Sequence, residues 1–325
     1  MSSDTEEGSG QGLTAPPQPA ATGDTARAAT SAQVTGAAGG DMSLREASLW
    51  SDAWRQLRRN PIFIIAASLV LLLSVMAIAP GLFTNADPRD CPLAQSRARP
   101  SAEHWFGRDF QGCDYYARVL YGARNSMIVG LLTVLGTVVL GGLLGMLSGY
   151  YGGRVDSVIA RFTDVIFGIP TVLGAIVVLN LFQERKHYTV ALVLVLFGWP
   201  TTLRLMRSSV LSVKEMDYVA AAKAMGATDA RILRLHVLPN ALAPVIVYST
   251  IALGGYIATE ATLSFLGVGL QLPAISWGLM VSYAQDYILE APHLLLFPGL
   301  FLVVTVLSFI LMGDALRDAL DPKLR

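Results

Sequence analysis

The chain has 325 residues, of which 53% are hydrophobic and only 15% charged, and its mean hydropathy is +0.50. That balance excludes a water-soluble domain of this size and reads as an all-α polytopic membrane protein. Basic and acidic residues number 24 each, with the basic ones spread among loops rather than gathered in a stripe, which argues against a nucleic-acid partner.

Residues 1–48 are rich in Gly, Ala, Ser, Thr, Pro and Gln without apolar periodicity, so a disordered tail without a signal peptide is expected there. Trp50, Trp54 and Leu57 then fall on one face of an expected interfacial helix. Residues 49–105 read as this helix, a first span and part of an outer loop. Residues 106–125 complete the loop, 126–313 form the main transmembrane domain, and 314–325 form a cytoplasmic tail. Apolar runs at Ile62–Phe83, Ser126–Gly149, Val158–Phe182, Tyr188–Val210, Pro244–Leu266 and Leu294–Gly313 each come near the ~20 residues that cross a hydrocarbon core. Six spans put both termini on one side.

Arg55, Arg58 and Arg59 precede the first span. Arg204, Arg207, Lys214, Lys223, Arg231 and Arg234 flank the loop at 211–243, and these two groups are expected to be cytoplasmic. The loop after the first span also carries six arginines, partly offset by five acidic residues, and parity with the 211–243 loop places it outside. It holds both cysteines, Cys91 and Cys113, and an oxidising compartment favours a disulfide between them. His104 and nearby carboxylates lack the compact spacing of a metal site.

Gly141, Gly145, Gly149 and Gly153 recur every fourth residue, a stripe suited to close helix packing or simply common membrane glycine. Asp164 and Glu260 lie inside apolar runs, where a central charge costs roughly 2.5–3.5 kcal/mol and so needs a partner or a wet surface. Both an interhelical hydrogen bond and a place on a solute pathway answer that need. Pro170 and Pro200 are candidates to kink the third and fourth spans, and Arg204 and Arg207 to snorkel at the end of the fourth.

The loop between the fourth and fifth spans is polar yet helix-forming. In YVAAAKAMGATDARILRLHVLPN, Tyr218–Asn240, the residues Tyr218, Ala221, Ala222 and Met225 share one modest apolar face, with Lys223 beside them. Gly226 supplies a left-handed stop, Ala227 and Thr228 lead into a second helix that Thr228 caps, and Pro239, thirteen residues after Gly226, ends it. Small side chains there allow another backbone to approach, so the loop reads as a docking surface. The chain lacks a Gly-x-x-x-x-Gly-Lys-[Ser/Thr] loop, and His104, His187, His236 and His293 are scattered, so neither nucleotide binding nor catalysis is expected.

That loop resembles the EAA loop of ATP-binding-cassette importer permeases, with Ala220 where the family often carries Glu. HWFGRDFQGCDYYARVLYGARNS (His104–Ser126), YYGGRVDSVIARFTDVIFGIP (Tyr150–Pro170), ATEATLSFLGVGLQLPAISWG (Ala258–Gly278) and GDALRDALDPKLR (Gly313–Arg325) extend the similarity, in order, to the C-type permease subunit of dipeptide and oligopeptide importers. Cys113 stands where that family usually has Arg. The resemblance implies a type I importer permease: six transmembrane helices with a cytoplasmic coupling-helix loop, in a prokaryotic cell membrane, with both termini cytoplasmic. It implies a B-type permease as heterodimer partner, two cytoplasmic ATPases, an extracytoplasmic substrate-binding protein and peptide cargo. No cofactor is expected on this chain, ATP being used by the partner subunits. Nickel, glutathione, oligosaccharide and opine importers share the permease type and remain alternatives for cargo. An ion-coupled secondary transporter using Asp164 and Glu260, or a scaffold without transport, are the readings from other classes.

Overall fold

The computed structural model of the protein describes residues 49–320; the tail expected at 1–48 and residues 321–325 lie outside them. The described residues form no strand. They build α1 (Leu49–Leu57), α2 (Pro61–Ile78), α3 (Tyr115–Tyr151), α4 (Gly153–Phe167), α5 (Thr171–Leu179), α6 (His187–Val213), α7 (Asp217–Ala224), α8 (Asp229–Ile232), α9 (Leu238–Phe265), α10 (Trp277–Ala284) and α11 (His293–Leu320).

Local chemistry sets the starts. Asn60 Oδ1 accepts from the Ile62 and Phe63 N–H groups at 2.9 and 3.3 Å, with Pro61 at the first helical position of α2. Asp114 caps α3 by accepting from the Ala117 N–H at 2.9 Å. The helix of the second span therefore begins at 115, ahead of the apolar run at 126, because this cap is followed by Tyr115, Val119, Leu120 and Ala123, all buried against α10 and α11. At 37 residues α3 is ~55 Å long, well beyond a ~30 Å hydrocarbon core, so its first turns stand in the loop region.

The third span is not the continuous run 158–182. Its helix starts at Gly153 and breaks between Phe167 and Thr171, where α4 and α5 meet at 81°. Pro170 has no N–H to donate and disfavours a helical conformation at Ile169, so the chain turns here instead of kinking. Pro200, by contrast, sits inside an α6 that continues to Val213. Among the described residues five stretches of helix are long and apolar enough to cross a membrane, and six if the bent α4–α5 pair counts as one span. α11 extends past 313 to Leu320, since Ala315 and Ala319 pack against Ala53 and Leu57 of α1. The expected tail is thus helical as far as it is described. Of the face expected for α1, Leu57 is buried and Trp54 half-exposed, while the side chain of Trp50 lies outside the described residues.

The glycine stripe forms the α3–α6 seam. A Cβ on Gly141 would lie 2.5 Å from Trp199 O, on Gly145 2.5 Å from Leu203 O, and on Gly149 2.9 Å from Arg207 O, so only glycine allows this approach. Gly153 meets nothing within 4 Å and starts α4 instead. Large apolar side chains such as Ile65, Leu71, Val158, Phe162, Val177 and Leu192 point outward on several helices, the surface that lipid or another membrane subunit must cover.

Direction is fixed by α3, whose N-terminus joins the Cys91–Cys113 loop and whose C-terminus meets α8, placing that loop and the α7–α8 loop at opposite ends. Arg317 and Leu320 border one cavity with Ala243 and Pro244 of α9, so α11 ends on the α7–α8 side.

Candidate functional site

The α7–α8 loop is a firmly backed helix pair with a bare outer face. Val219 and Ala222 of α7 and Ile232 of α8 are buried with Leu233, Val237, Ala241 and Val245, and with Met206 and Val210 of α6. Tyr218, Ala221, Lys223 and Met225 remain exposed, Met225 at 82%. Ala222 therefore does not belong to the outer face expected for it: a position one residue beyond Ala221 turns about 100° around an α-helix and here faces the bundle. What burial Tyr218 has raises its phenol above the ordinary value.

Gly226 has φ +80°, the left-handed conformation that ends α7, and a Cβ there would meet nothing within 4 Å. Its constraint is backbone conformation, not space. Ala227 follows, with its N–H donating to Ala222 O at 3.1 Å. Thr228 occupies the cap position of α8 but makes no side-chain cap bond. Nor does Pro239 end the second helix. Leu233–Val237 widens into a π turn in which the Leu238 N–H donates to Leu233 O, and this register change lets the chain run through Pro239 into α9.

Polar contacts attach this loop to α3 and tie α3, α4 and α6 to one another beside it, and sequence reasoning missed them. Tyr150 Oη donates to Asp229 Oδ1 at 2.7 Å, and Lys214 Nζ donates to Gly149 O at 3.0 Å. Arg207 binds Asp156 through both oxygens at 2.6 and 2.7 Å, and Ser148 Oγ donates to the same carboxylate at 2.5 Å. The one available signal was Asp156 itself, an acid immediately before an apolar run and so in need of a cation. Arg207 is thus spent on a carboxylate and not extended as a free snorkelling side chain. Arg204 likewise pairs with Asp164 at 2.8 Å and lies 4.0 Å over the Phe167 ring, which supplies the partner that Asp164 requires.

Glu260 is completely buried. Its Oε1 accepts from Ser264 Oγ at 2.8 Å and Ser276 Oγ at 3.2 Å. Ser264 Oγ in turn accepts from the Leu270 N–H and Ser276 Oγ from the Leu279 N–H, so the carboxyl organises the turn from α9 into α10. Asp164 and Glu260 sit on different helices in different surroundings, one half-exposed in an ion pair and one sealed among serines. The structure does not bring them together as a coupling pair.

At the other end, Cys91 and Cys113 form a disulfide across 22 residues of the loop. The buried Asp109–Arg118 pair attaches this loop to α3, the exposed Arg97–Glu290 pair to the segment before α11, and the stacking of Phe106 on Phe297 to α11 itself. Trp277 seals the region, fully buried, with Nε1 donating to Val119 O at 2.9 Å.

Residues 141–325 match the family described as binding-protein-dependent transport system inner membrane component. Residues 48–100 match the N-terminal transmembrane domain of oligopeptide transport permease C. The chain is 39% identical over 279 residues to the dipeptide transport system permease protein DppC of Alkalihalophilus pseudofirmus, covering 86% of this chain and 91% of that one. It is 34% identical to the oligopeptide transport system permease protein OppC of Bacillus subtilis, over 87% and 93% of the two chains. It is 38% identical to the glutathione transport system permease protein GsiD of Pectobacterium atrosepticum, over 85% and 92%. Among solved structures it resembles a chain of the inward-facing MetNI methionine ABC transporter, with TM-score 0.52 at 18% identity, over 62% of this chain and 96% of that one.

Proposed function

The chain belongs to the family of binding-protein-dependent transport system inner membrane components, multi-pass permeases of ATP-driven importers, and from that premise we propose that it is the C-type half of a short-peptide importer. It pairs with a B-type permease to enclose the pathway. Two cytoplasmic ATPases dock on α7–α8, and an extracytoplasmic binding protein delivers cargo at the disulfide-bearing end. The observation that carries this reading is the outer face of α7, where Tyr218, Ala221, Lys223 and Met225 stay exposed while Val219 and Ala222 are locked into the bundle. A surface held this firmly transmits a push instead of absorbing it. Tyr150, Lys214 and the Asp156–Arg207 pair pass the displacement to α3, α4 and α6, so nucleotide-driven closure of the ATPases tilts the spans. The chemistry of hydrolysis stays in the partners. In this reading α1, with Arg55, Arg58 and Arg59, and the described end of α11 lie on the cytoplasmic side.

Peptide cargo is favoured by the relatives' dipeptide and oligopeptide assignments; the similarity to the glutathione permease keeps a second, itself peptide-like, solute in view. The test is uptake of a radiolabelled dipeptide into proteoliposomes holding the complete complex, with and without ATP. ATP-dependent accumulation is expected. Accumulation of glutathione alone would move the assignment to that cargo, and uptake driven by an ion gradient without ATP would remove the importer reading.

A further inference from the structure

At the end of the bundle opposite α7, a polar cavity of about 670 Å³ opens between the 84–89 loop, α3 and residues 273–275. It joins a second of about 440 Å³, which shares Arg89 and Asn125 with it and reaches the 184–187 loop. The shared wall is pinned, since Asn125 Nδ2 donates to Ile275 O at 2.8 Å. Its cations are unequally engaged. Lys186 is paired with Glu184 at 2.8 Å, and Arg185 donates to Asn180 Oδ1 at 3.0 Å and Gly267 O at 3.3 Å. Asp87, the one carboxylate in the larger cavity, turns an oxygen to the backbone N–H of Arg89 at 2.8 Å. The guanidiniums of Arg89 and Arg124 are left with no hydrogen-bond or ion-pair partner among the described residues.

Two unengaged guanidiniums in one concavity suit a carboxylate, which each can meet with two parallel N–H donors. The volume lies within the range of small-molecule sites, about 300–1,000 Å³. The polar lining, with Thr84, Asn85 and Asp87, disfavours a lipid tail.

We propose that Arg89 and Arg124 form a receiving site for the free C-terminal carboxylate of the cargo as it passes from the binding protein into the pathway. The inference rests on the peptide reading above. It makes carboxylate selection partly a property of the permease and not of the binding protein alone.

The test compares a peptide with its C-terminal amide, each presented on saturated binding protein to proteoliposomes holding the complete complex. Wild type is expected to take up the free acid about three- to tenfold faster than the amide, the range for one solvent-exposed charge-assisted contact. Arg89→Gln with Arg124→Gln is expected to bring that ratio toward one while basal ATP hydrolysis and ATPase co-purification stay normal. An unchanged ratio in the double variant overturns the proposal and leaves the peptide reading standing. Equal slowing of both peptides, with weaker co-sedimentation of the binding protein, would assign the arginines to protein docking and also overturn it. So would a ratio that follows the anionic-lipid content of the vesicles, which would point to a headgroup phosphate. Failure of wild type to take up either peptide would remove the cargo reading and the site with it.

Discussion

The hydroxyl of Tyr150, one residue from the end of α3, donates at 2.7 Å to Asp229, the first residue of α8. It is a direct side-chain link between the exposed helix pair and the longest span. Tyr150→Phe removes the link and keeps the ring, a loss of about 0.5–1.5 kcal/mol at an exposed hydrogen bond. Expected is normal ATPase retention with peptide taken up per ATP hydrolysed reduced about two- to fivefold, a loss of that order in the coupling step. Transport stoichiometry in proteoliposomes measures this, and an unaltered ratio would remove Tyr150 from the coupling route.

Ala221→Glu places a long charged side chain on the exposed face of α7, and Gly226→Val forces a β-branched residue into a left-handed conformation, at about 1–2 kcal/mol. Both are expected to insert normally and to lose ATPase co-purification about tenfold or more, as for a central interface position. Ala222→Glu differs in kind: its position is buried, so it should lower expression itself. Full ATPase retention and uptake in Ala221→Glu would sink the docking assignment.

Cys91 and Cys113 should resist thiol reagents until reduced. Replacing both with serine frees a loop of 22 residues, worth about 3 kcal/mol in the chain-entropy account. The expected result is a lower unfolding temperature and faster proteolysis between 84 and 114, with ATPase docking intact. Labelling of both thiols in unreduced protein from intact cells would contradict the bridge.

Glu260→Gln retains an acceptor for Ser264 and Ser276 and should assemble and transport near normally. Glu260→Leu leaves both hydroxyls without an acceptor in a sealed site, at about 1–3 kcal/mol each, and should reduce yield of the assembled complex. A Gln variant that assembles, keeps its ATPases and fails to transport would make the charge itself functional.

Most of the architecture was legible because apolar length reports directly on crossing a membrane: five of the six runs became long continuous helices, differing mainly where they end. The ends were not legible. Extension of α3 back to Tyr115 and of α11 on to Leu320 depends on buried partners in α10, α11 and α1 that are distant in sequence. The break at Pro170 and the passage through Pro239 differ for a similar reason. Proline removes one donor at each, and the surrounding backbone decides whether the chain turns, as before α5, or widens into a π turn, as before α9.

At the candidate site, the sequence by itself determined the helix, glycine, helix order of Tyr218–Asn240, since propensity and a left-handed glycine are local properties. Only the tertiary structure decided that Ala222 faces inward while Ala221 faces out, because that choice depends on which side of α7 meets α6 and α9. It also decided the partners of the acids in and beside the apolar runs, joining Asp156 to Arg207, Asp164 to Arg204 and Glu260 to two serines. A buried or half-buried charge announces in sequence that it needs a partner. Which one it finds is settled by helices that approach across 40 or 51 positions of chain, and spacing along the chain carries no record of that.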